Sequence, residues 1–413
     1  MNDTSKPIAL MLALLLGLFI SPPTSAEPHI RLGIDVLAGS EFEAIRGQRV
    51  GLVAHPASVA GDLTHSVDVL RAGADAGHFT FVAMFGPEHG VYGDIYAGDK
   101  VADKVDPRSG LPVRSLYGTT RKPTPEMLAD LDVLLFDLQD IGSRSYTYIS
   151  TMRLCLEACI ENDVALIILD RPNPLGGLRI EGPAKVEEDF RSFISQIDVP
   201  YVHGMTMGEL ALLERDRIDP QFDKLTVIEM DGWTRAMSWA DTGLVWVPTS
   251  PHIPTIGSAA GYAATGVLGE LGVVSNGVGY TLPFEIVGSP DIDADALTDD
   301  LRARGLNGIH FRAARFKPFF ATHQGEVCGG VQIHLDPDAQ ANYYELNFIL
   351  MDALGVRDRL RGDGRFNLFD KANGTDATRK WLASGKPLDD LFTQWKQSSD
   401  EFAQDREPYL LYD

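Results

Sequence analysis

A chain of 413 residues is long enough for about two domains, and its hydrophobic content of 44% and charged content of 23% are typical of folded globular proteins. The 36 Lys and Arg against 58 Asp and Glu give a net charge of −22, which repels polyanions and argues against nucleic acid or an anionic membrane surface as partner. Three cysteines are too few for a disulfide framework, and Cys155 and Cys159 fit a predicted helix as small buried hydrophobic residues.

The N-terminus has the composition of a secretory leader. Lys6 precedes an apolar run over residues 8–20, and two prolines and small residues follow it up to Ala26. A membrane-spanning helix needs about 20 apolar residues, which this run does not reach. We therefore predict a cleavable signal peptide over residues 1–26, a secreted or periplasmic protein and no stable membrane insertion of the mature chain. An uncleaved membrane anchor is the alternative.

Short apolar runs then alternate with helical patterns up to Asp170, which is typical of βαβ units. Their nearly continuous apolar character suits strands that are covered on both faces of a parallel sheet. Between the last two runs, apolar residues from Ile149 to Cys159 recur at helical spacing, and Thr206 with Glu209 forms a capping box for a further helix. The predicted strands are residues 49–54, 79–85, 133–136 and 165–169.

Polar residues follow each of these four predicted strands. Ligands of an open parallel sheet bind at the carboxyl ends of its strands, so we expect these polar residues to meet at one edge. In chain order the groups are His55; Glu88 and His89; Gln139, Asp140 and Arg144; and Asp170, Arg171 and Asn173.

The second half of the chain is patterned differently. Residues 239–290 are rich in Gly, Pro, Ser and Thr, which predicts binding loops over the sheet edge or a crossing between domains. Residues 329–335 alternate like a strand, and apolar residues from Leu388 to Phe402 predict an amphipathic helix. The predicted fold class is α/β, with a Rossmann-like parallel-sheet N-terminal domain over residues 27–289. A smaller C-terminal α/β domain over residues 290–413 would wall the cleft.

Glu88 is the first candidate for chemistry. Gly86, Pro87 and Gly90 fix a tight turn that presents its carboxyl at a strand end beside His89, as acid–base catalysis requires. A turn with solvated charges is the alternative. Asp140 is the natural second carboxylate for glycoside cleavage, and a helix cap is an alternative that is compatible with this role.

Other chemistries have weaker support. Glu88, His89, His55, Asp94 and Asp99 offer oxygen and nitrogen atoms to a metal, but no His-Glu-x-x-His pair or cysteine cluster is present, and we expect no metal. The glycine motifs of nucleotide sites and the Gly-x-Ser-x-Gly elbow are also missing, so we predict no cofactor and no serine hydrolase. Asp170 with Arg171 could form a structural pair, and His203 could be structural or ligand-binding.

The motifs resemble those of the exo-β-N-acetylmuramidase (NamZ-type) family of bacterial glycoside hydrolases. The likeness runs in the family's order through the chain that follows the predicted leader. The residues that carry it are 85–90 (FGPEHG), 137–144 (DLQDIGSR), 146–149 (YTYI), 169–177 (LDRPNPLGG), 203–206 (HGMT), 208–210 (GEL), 246–248 (WVP), 250–251 (SP), 283–285 (PFE) and 409–412 (YLLY).

This resemblance implies a Rossmann-like domain, a smaller C-terminal domain and a cleft between them. It also implies release of N-acetylmuramic acid from the non-reducing ends of peptidoglycan fragments, with Glu88 as catalytic acid. We expect His89 and Asp140 to orient or tune the reaction. The expected substrate-binding residues are His55, Arg144, Tyr148, Arg171, Asn173 and His203, with Arg144 or Arg171 meeting the lactyl carboxylate of a muropeptide or disaccharide.

One segment departs from the family pattern. Where the family reads close to NLSEGRGT, residues 273–280 read VVSNGVGY, so a glutamate and an arginine are replaced by Asn276 and Val278. The leading function is an exported exo-muramidase of cell-wall turnover. Its rivals are a glycosidase of altered sugar specificity, a non-catalytic periplasmic muropeptide or sugar-binding protein, and a metal-assisted hydrolase.

Overall fold

A computed structural model describes residues 30–413 of the chain except 97, 101 and 362–365. The predicted signal peptide, residues 1–26, lies outside the described residues. Among the helices that are described, none combines the length and the hydrophobicity needed to cross a membrane.

The larger sheet confirms the four predicted strands. In the described part of the chain it has seven strands in the order β3-β4-β2-β1-β5-β6-β7, parallel except for β3, which runs antiparallel to β4. Strand β1 is at its centre, as expected for a sheet covered on both faces. The strands are β1 (Arg49–Ala54), β2 (Thr80–Gly86), β3 (Lys104–Val105), β4 (Pro112–Ser115), β5 (Val133–Asp137), β6 (Ala165–Leu169) and β7 (Leu225–Ile228).

Helices pack on both faces of this sheet, which explains why its strands are apolar throughout. In β5, Leu134 and Phe136 enter one core while Val133 and Leu135 enter the other. Helices α4 and α5 pack on the first face, and α1 and α2 pack on the second. This arrangement confirms the Rossmann-like prediction. The helices here are α1 (Gly33–Gly39), α2 (Ser66–Asp75), α3 (Pro125–Leu128), α4 (Tyr148–Asn162) and α5 (Met207–Ile218).

The predicted capping box also forms. Thr206 Oγ1 accepts a hydrogen bond from Glu209 N at 3.3 Å, and Thr206 N donates to Glu209 Oε2 at 3.0 Å. The two side chains satisfy backbone N–H donors at the start of α5, which have no carbonyl partner in the preceding turn.

A smaller antiparallel sheet, in the order β8-β10-β9, forms a second core with the remaining helices. Val331, Phe348 and Trp395 are buried in this core, and the amphipathic pattern from Leu388 to Phe402 lies on α11. The elements are α6 (Ile256–Gly269), β8 (Ile286–Ser289), α7 (Ala294–Ala303), β9 (Ile309–Phe316), β10 (Cys328–Leu335), α8 (Tyr343–Ala353), α9 (Asn367–Asn373), α10 (Ala377–Ala383) and α11 (Leu388–Asp405).

The segment between the two sheets holds more structure than its composition suggested. Helix α6 is formed by small and apolar residues, and Ala263, Val267 and Leu268 are buried in the second core. Strand β8 pairs with β10 although the predicted domain boundary, between residues 289 and 290, separates the two strands. The second core therefore draws on residues that the composition of the segment assigned to loops.

Candidate active site

The polar groups that follow the parallel strands meet at one edge of the larger sheet. Gln139 N, after β5, donates to His55 Nε2, after β1, at 2.9 Å. Arg171, after β6, donates to both carboxylate oxygens of Asp137 at the end of β5, at 2.6 and 2.9 Å. The expected convergence is therefore present, and its members differ in how far they remain open to solvent.

Glu88 is half-buried in the loop after β2. Its Oε2 accepts a hydrogen bond from Thr147 Oγ1 at 2.8 Å, and its Oε1 accepts one from Gly98 N at 3.1 Å. Thr147 directly precedes α4, so the positive end of the helix dipole is close to this carboxylate. Two separate segments thus hold the Glu88 carboxyl while part of its side chain remains accessible.

The backbone around Glu88 adopts an uncommon conformation. His89 has φ 71° and Gly90 has φ 76°, both in the left-handed region, and Gly90 N closes the turn by donating to Pro87 O at 2.9 Å. For histidine this conformation carries a strain cost, and such costs concentrate at functional sites. The His89 ring is buried, and its Nδ1 lies 3.0 Å from Ile95 O, so His89 holds the loop that presents Glu88.

A cationic and aromatic wall stands beside Glu88. Burial, the charge of Glu88 and a hydrogen bond with it raise the pKa of Tyr117 to about 12. The Arg121 guanidinium lies 4.9 Å from the Tyr117 ring centroid and 4.2 Å from that of Phe193. The sequence offered no signal for this wall, because Tyr117 and Arg121 lie in an irregular segment without a motif.

Asp140 and His203 form a second polar pair. Asp140 Oδ2 accepts a hydrogen bond from Gly142 N at 2.7 Å and lies 3.4 Å from His203 Nε2. His203 Nδ1 accepts from Met205 N at 3.2 Å, which leaves Nε2 to carry the ring proton. Among the described residues, Asp140 Oδ1 and His203 Nε2 have no aligned hydrogen-bond partner. Buried polar atoms of this kind call for a partner such as substrate or water.

Two tyrosines lie in reach of both carboxylates. Burial raises the pKa of Tyr146 and of Tyr148, and the charges of Glu88 and Asp140 raise both further. The rings meet edge to face at 4.9 Å, and Tyr148 donates to Thr249 O at 2.8 Å. Tyr148 is thus a neutral, buried support for the loop that contains Thr249, which does lie over the sheet edge.

His55 is fully buried beneath this loop. Its Nε2 accepts from Gln139 N, and its Nδ1 lies 3.4 Å from Thr249 O. Burial first, and then the charge of Arg171, lower the pKa of His55 well below its ordinary value. Both ring nitrogens face backbone atoms, so the neutral His55 ring supports the backbone here, and the expected substrate contact gains no support from this geometry.

Arg171 pairs with Asp137 and not with Asp170. The side chains of this ion pair are almost fully buried, and Arg171 Nη2, which also donates to Asp137 Oδ2, donates to Val59 O at 2.9 Å. Asp170 instead accepts from Thr206 Oγ1, Tyr412 Oη and Gly208 N at 2.7, 2.7 and 2.9 Å. Both residues therefore stabilise the sheet edge, with Nε and Nη2 of Arg171 bonded to protein acceptors.

Arg144 lies away from the open part of the site. The side chain is fully buried and donates to Pro183 O at 2.8 Å, Val199 O at 2.9 Å and Ala372 O at 3.1 Å. Burial lowers its pKa. Its donors bind carbonyls that join the two cores, so the expected contact of Arg144 with an anionic sugar has no support from these bonds.

Asn173 is likewise buried and bonded within the protein. Its Nδ2 donates to Met205 O at 3.1 Å, and its Oδ1 accepts from Leu175 N at 2.9 Å. It links the loop after β6 to the residues that precede α5, close to the Asp140–His203 pair. We describe it as a residue that positions this pair.

The altered segment, residues 273–280, lies where the two cores meet. Asn276 is buried, its carbonyl accepts from Phe284 N at 2.7 Å, and its Nδ2 points to Thr265 O at 3.4 Å. Val278 packs against the core of the larger sheet. Both Asn276 and Val278 are therefore packed against other residues of the protein.

The alternative of a metal site gains no support from the geometry of the described residues. Across residues 30–413, apart from the six that are not described, no three His, Cys, Asp or Glu side chains are grouped as a metal would need. His55, one of the five residues considered for such a site, directs both ring nitrogens at backbone atoms.

Comparisons with known proteins extend over almost the whole described chain. Residues 50–257 match the family model described as exo-β-N-acetylmuramidase NamZ, N-terminal, and residues 260–412 match the corresponding C-terminal model. The chain is 40% identical over 392 residues to the peptidoglycan β-N-acetylmuramidase NamZ of Bacillus subtilis strain 168, covering 94% of this chain and 93% of that relative.

Solved structures agree with this match. One DUF1343 family protein of Bacteroides fragilis has a TM-score of 0.86 and 41% identity, covering 93% of this chain and 99% of its own. A second DUF1343 family protein of the same organism has a TM-score of 0.73 and 27% identity at the same coverage.

Proposed function

Because this chain belongs to the exo-β-N-acetylmuramidase NamZ family and is a glycoside hydrolase, we propose that it releases N-acetylmuramic acid from the non-reducing ends of peptidoglycan fragments. The family membership confirms the resemblance drawn from the motifs. The proposal concerns the sugar, the exo mode of attack and the role in cell-wall turnover.

The observation that carries the proposal is the placement of Glu88. Its carboxyl group is held from two segments at the sheet edge and is still partly open to solvent. A general acid must reach the glycosidic oxygen and exchange protons with solvent between turnovers. Asp137 and Asp170 are at the same edge, but both are sealed and bonded within the protein.

In this mechanism Glu88 gives its proton to the leaving oxygen as the glycosidic bond breaks, and water supplies the oxygen that ends on the anomeric carbon of the released sugar. Gly98 N and Thr147 Oγ1 each bond one carboxyl oxygen of Glu88 and so fix its orientation. Asp140, with its unpartnered Oδ1, is the second carboxylate that glycoside cleavage commonly uses. His203 and Gly142 hold Asp140 in place, and Asn173 supports them.

We also propose that the protein acts outside the cytoplasm. The support is the pattern of residues 1–26, with its apolar run and small residues before Glu27. N-terminal sequencing of the protein from periplasmic and culture fractions tests this idea. A mature start near Glu27 in either fraction supports export, and an intact N-terminus in the cytoplasm would contradict it.

The function is tested with chromogenic β-N-acetylmuramide and β-N-acetylglucosaminide, each with and without chelator. We expect selective, chelator-insensitive release from the muramide and its loss in Glu88→Gln. The matched control is Glu401→Gln, an exposed glutamate on α11, which should leave the rate unchanged. Release from the glucosaminide alone would indicate an altered sugar specificity. Sugar binding without release would indicate a receptor. Loss of activity with chelator would indicate a metal-assisted enzyme.

A further inference from the structure

Arg121 provides an isolated positive charge at the wall of the site. Its guanidinium lies over the rings of Tyr117 and Phe193, whose centroids are 5.8 Å apart. Phe193 is buried and Tyr117 half-buried, so both rings are fixed, while Arg121 is exposed. Stacking on a ring face leaves the planar edge of a guanidinium free to donate two parallel hydrogen bonds.

The charge of Arg121 is not neutralised by any carboxylate of the described residues within ion-pair distance. By contrast, Arg171 is paired with Asp137 and Arg235 with Glu209. Arg144 and Arg171 are the two cations that the sequence suggested for an anionic sugar. Both are buried: Arg144 donates to three backbone carbonyls, and Arg171 is paired with Asp137. The net charge of −22 repels anionic ligands. An accessible cation that is held in place provides a local site that attracts them.

Arg121 is also at the right place relative to Glu88. Ser115 at the end of β4 pairs with Gly86 at the end of β2, and Leu116 N donates to Gly86 O at 2.8 Å, so Tyr117 leaves the sheet beside the loop that contains Glu88. The Arg121 guanidinium lies 4.9 Å from the centroid of the Tyr117 ring. The acid and the cation therefore lie on neighbouring segments at the same edge of the sheet. A sugar whose glycosidic oxygen reaches Glu88 would bring a substituent on the same ring to Arg121.

We propose that Arg121 binds the lactyl carboxylate of the N-acetylmuramic acid unit and thereby sets the preference for muramic over glucosamine sugars. This inference rests on the proposed function. The charge-assisted contact with Arg121 would compensate for the repulsion between the substrate carboxylate and a protein of net charge −22. Tyr117 and Phe193 act as positioning residues, because they hold the guanidinium and do not meet the carboxylate.

Titration calorimetry with N-acetylmuramic acid and with N-acetylglucosamine, which lacks the lactyl group, tests the inference without requiring turnover. The variants are Arg121→Gln and Arg121→Lys, with Arg312→Gln on β9 as a matched exposed arginine far along the chain. We expect Arg121→Gln to weaken muramic acid binding on the order of 10- to 100-fold, the range of a hydrogen bond to a charged group. Glucosamine binding should change little, and Arg121→Lys should restore part of the loss.

Hydrolysis of the chromogenic muramide gives a second readout. Arg121→Gln should raise KM far more than it lowers kcat, since the lactyl contact is made before and during bond cleavage. Arg312→Gln should match the unaltered protein in both assays, and a thermal midpoint for each variant reports on folding.

The outcomes separate the two proposals. Equal effects of Arg121→Gln on the two sugars, or none on either, would overturn the role of Arg121 even if the enzyme cleaves muramides. A fall in kcat alone would also overturn it, because it would show that Arg121 acts through Tyr117 on Glu88. If the protein binds muramic acid through Arg121 but cleaves no muramide, the proposed function fails and the binding role stands.

Discussion

The loops after β2 and β6 both contain an acidic residue followed by a basic one, but the two acids differ in their exposure to solvent. Glu88 is followed by His89 and a glycine, and Asp170 by Arg171 and a proline. Glu88 remains half-open to solvent, whereas Asp170 is fully buried and its oxygens accept three hydrogen bonds. A polar cluster at a strand end is therefore a catalytic candidate only when its acid can still exchange protons and meet a ligand.

The buried loop after β6 connects separate parts of the protein. Asp170 fastens the start of α5 and the C-terminal tail, through Thr206 and Tyr412. Asp137 and Arg171 tie β5 to the loop after β6. This network fixes the frame from which the loop after β2 presents Glu88, so the two loops should respond to mutation in different ways.

The largest effect is expected at the open loop. Glu88→Gln should lower kcat by about 10²- to 10⁴-fold, because it removes the proton that the leaving group receives. The thermal midpoint should hardly change, since a half-exposed carboxyl contributes little to stability. Steady-state kinetics and a melting curve on one sample check both statements, and an active Glu88→Gln enzyme would remove Glu88 from its role.

The second effect is a loss of stability at the sealed edge. Arg171→Met should lower the free energy of unfolding by about 3–5 kcal/mol, because the Asp137 carboxylate stays buried without its partner. Chemical denaturation measures this loss. The double variant Asp137→Asn with Arg171→Met should be more stable than Arg171→Met alone. If the single variant melts like the unaltered protein, the ion pair has no structural role.

The third effect concerns pH. Burial raises the pKa of Asp170 from 3.8 to about 6 against its hydrogen bonds, so the folded protein holds this proton more tightly than the unfolded chain. Its contribution to stability is full below about pH 4 and is lost as pH rises through about 6, a change on the order of 3 kcal/mol. Asp170→Asn should lack this part of the pH dependence in denaturation curves at pH 4.5 and 7.5. An equal change in the free energy of unfolding between these two pH values in both proteins would contradict the role of Asp170.

The smallest effect is expected at His89. His89→Asn keeps a residue that tolerates the left-handed backbone but removes the ring that faces Ile95 O. Because the ring supports the loop and makes no contact with Glu88 among the described hydrogen bonds, kcat should fall by no more than about tenfold, far less than for loss of a general acid. A loss as large as that of Glu88→Gln would make His89 a catalytic residue in its own right.

Local patterns in the sequence were enough for much of the fold. Apolar runs located β1, β2, β5 and β6, and the Thr206–Glu209 spacing located the start of α5. Helix α6 was missed because small residues and glycines resemble a loop until a second core buries them.

By itself the sequence determined the parallel sheet and the four polar strand ends, and it predicted Glu88 as the acid, because apolar periodicity and turn chemistry act over a few residues. Only the tertiary structure decided which polar groups are sealed and which are open. Arg144 is sealed in part by the carbonyl of Ala372, 228 residues away, and Arg121 is held in place by Phe193. Burial and charge pairing depend on such distant contacts, and no local pattern contains them.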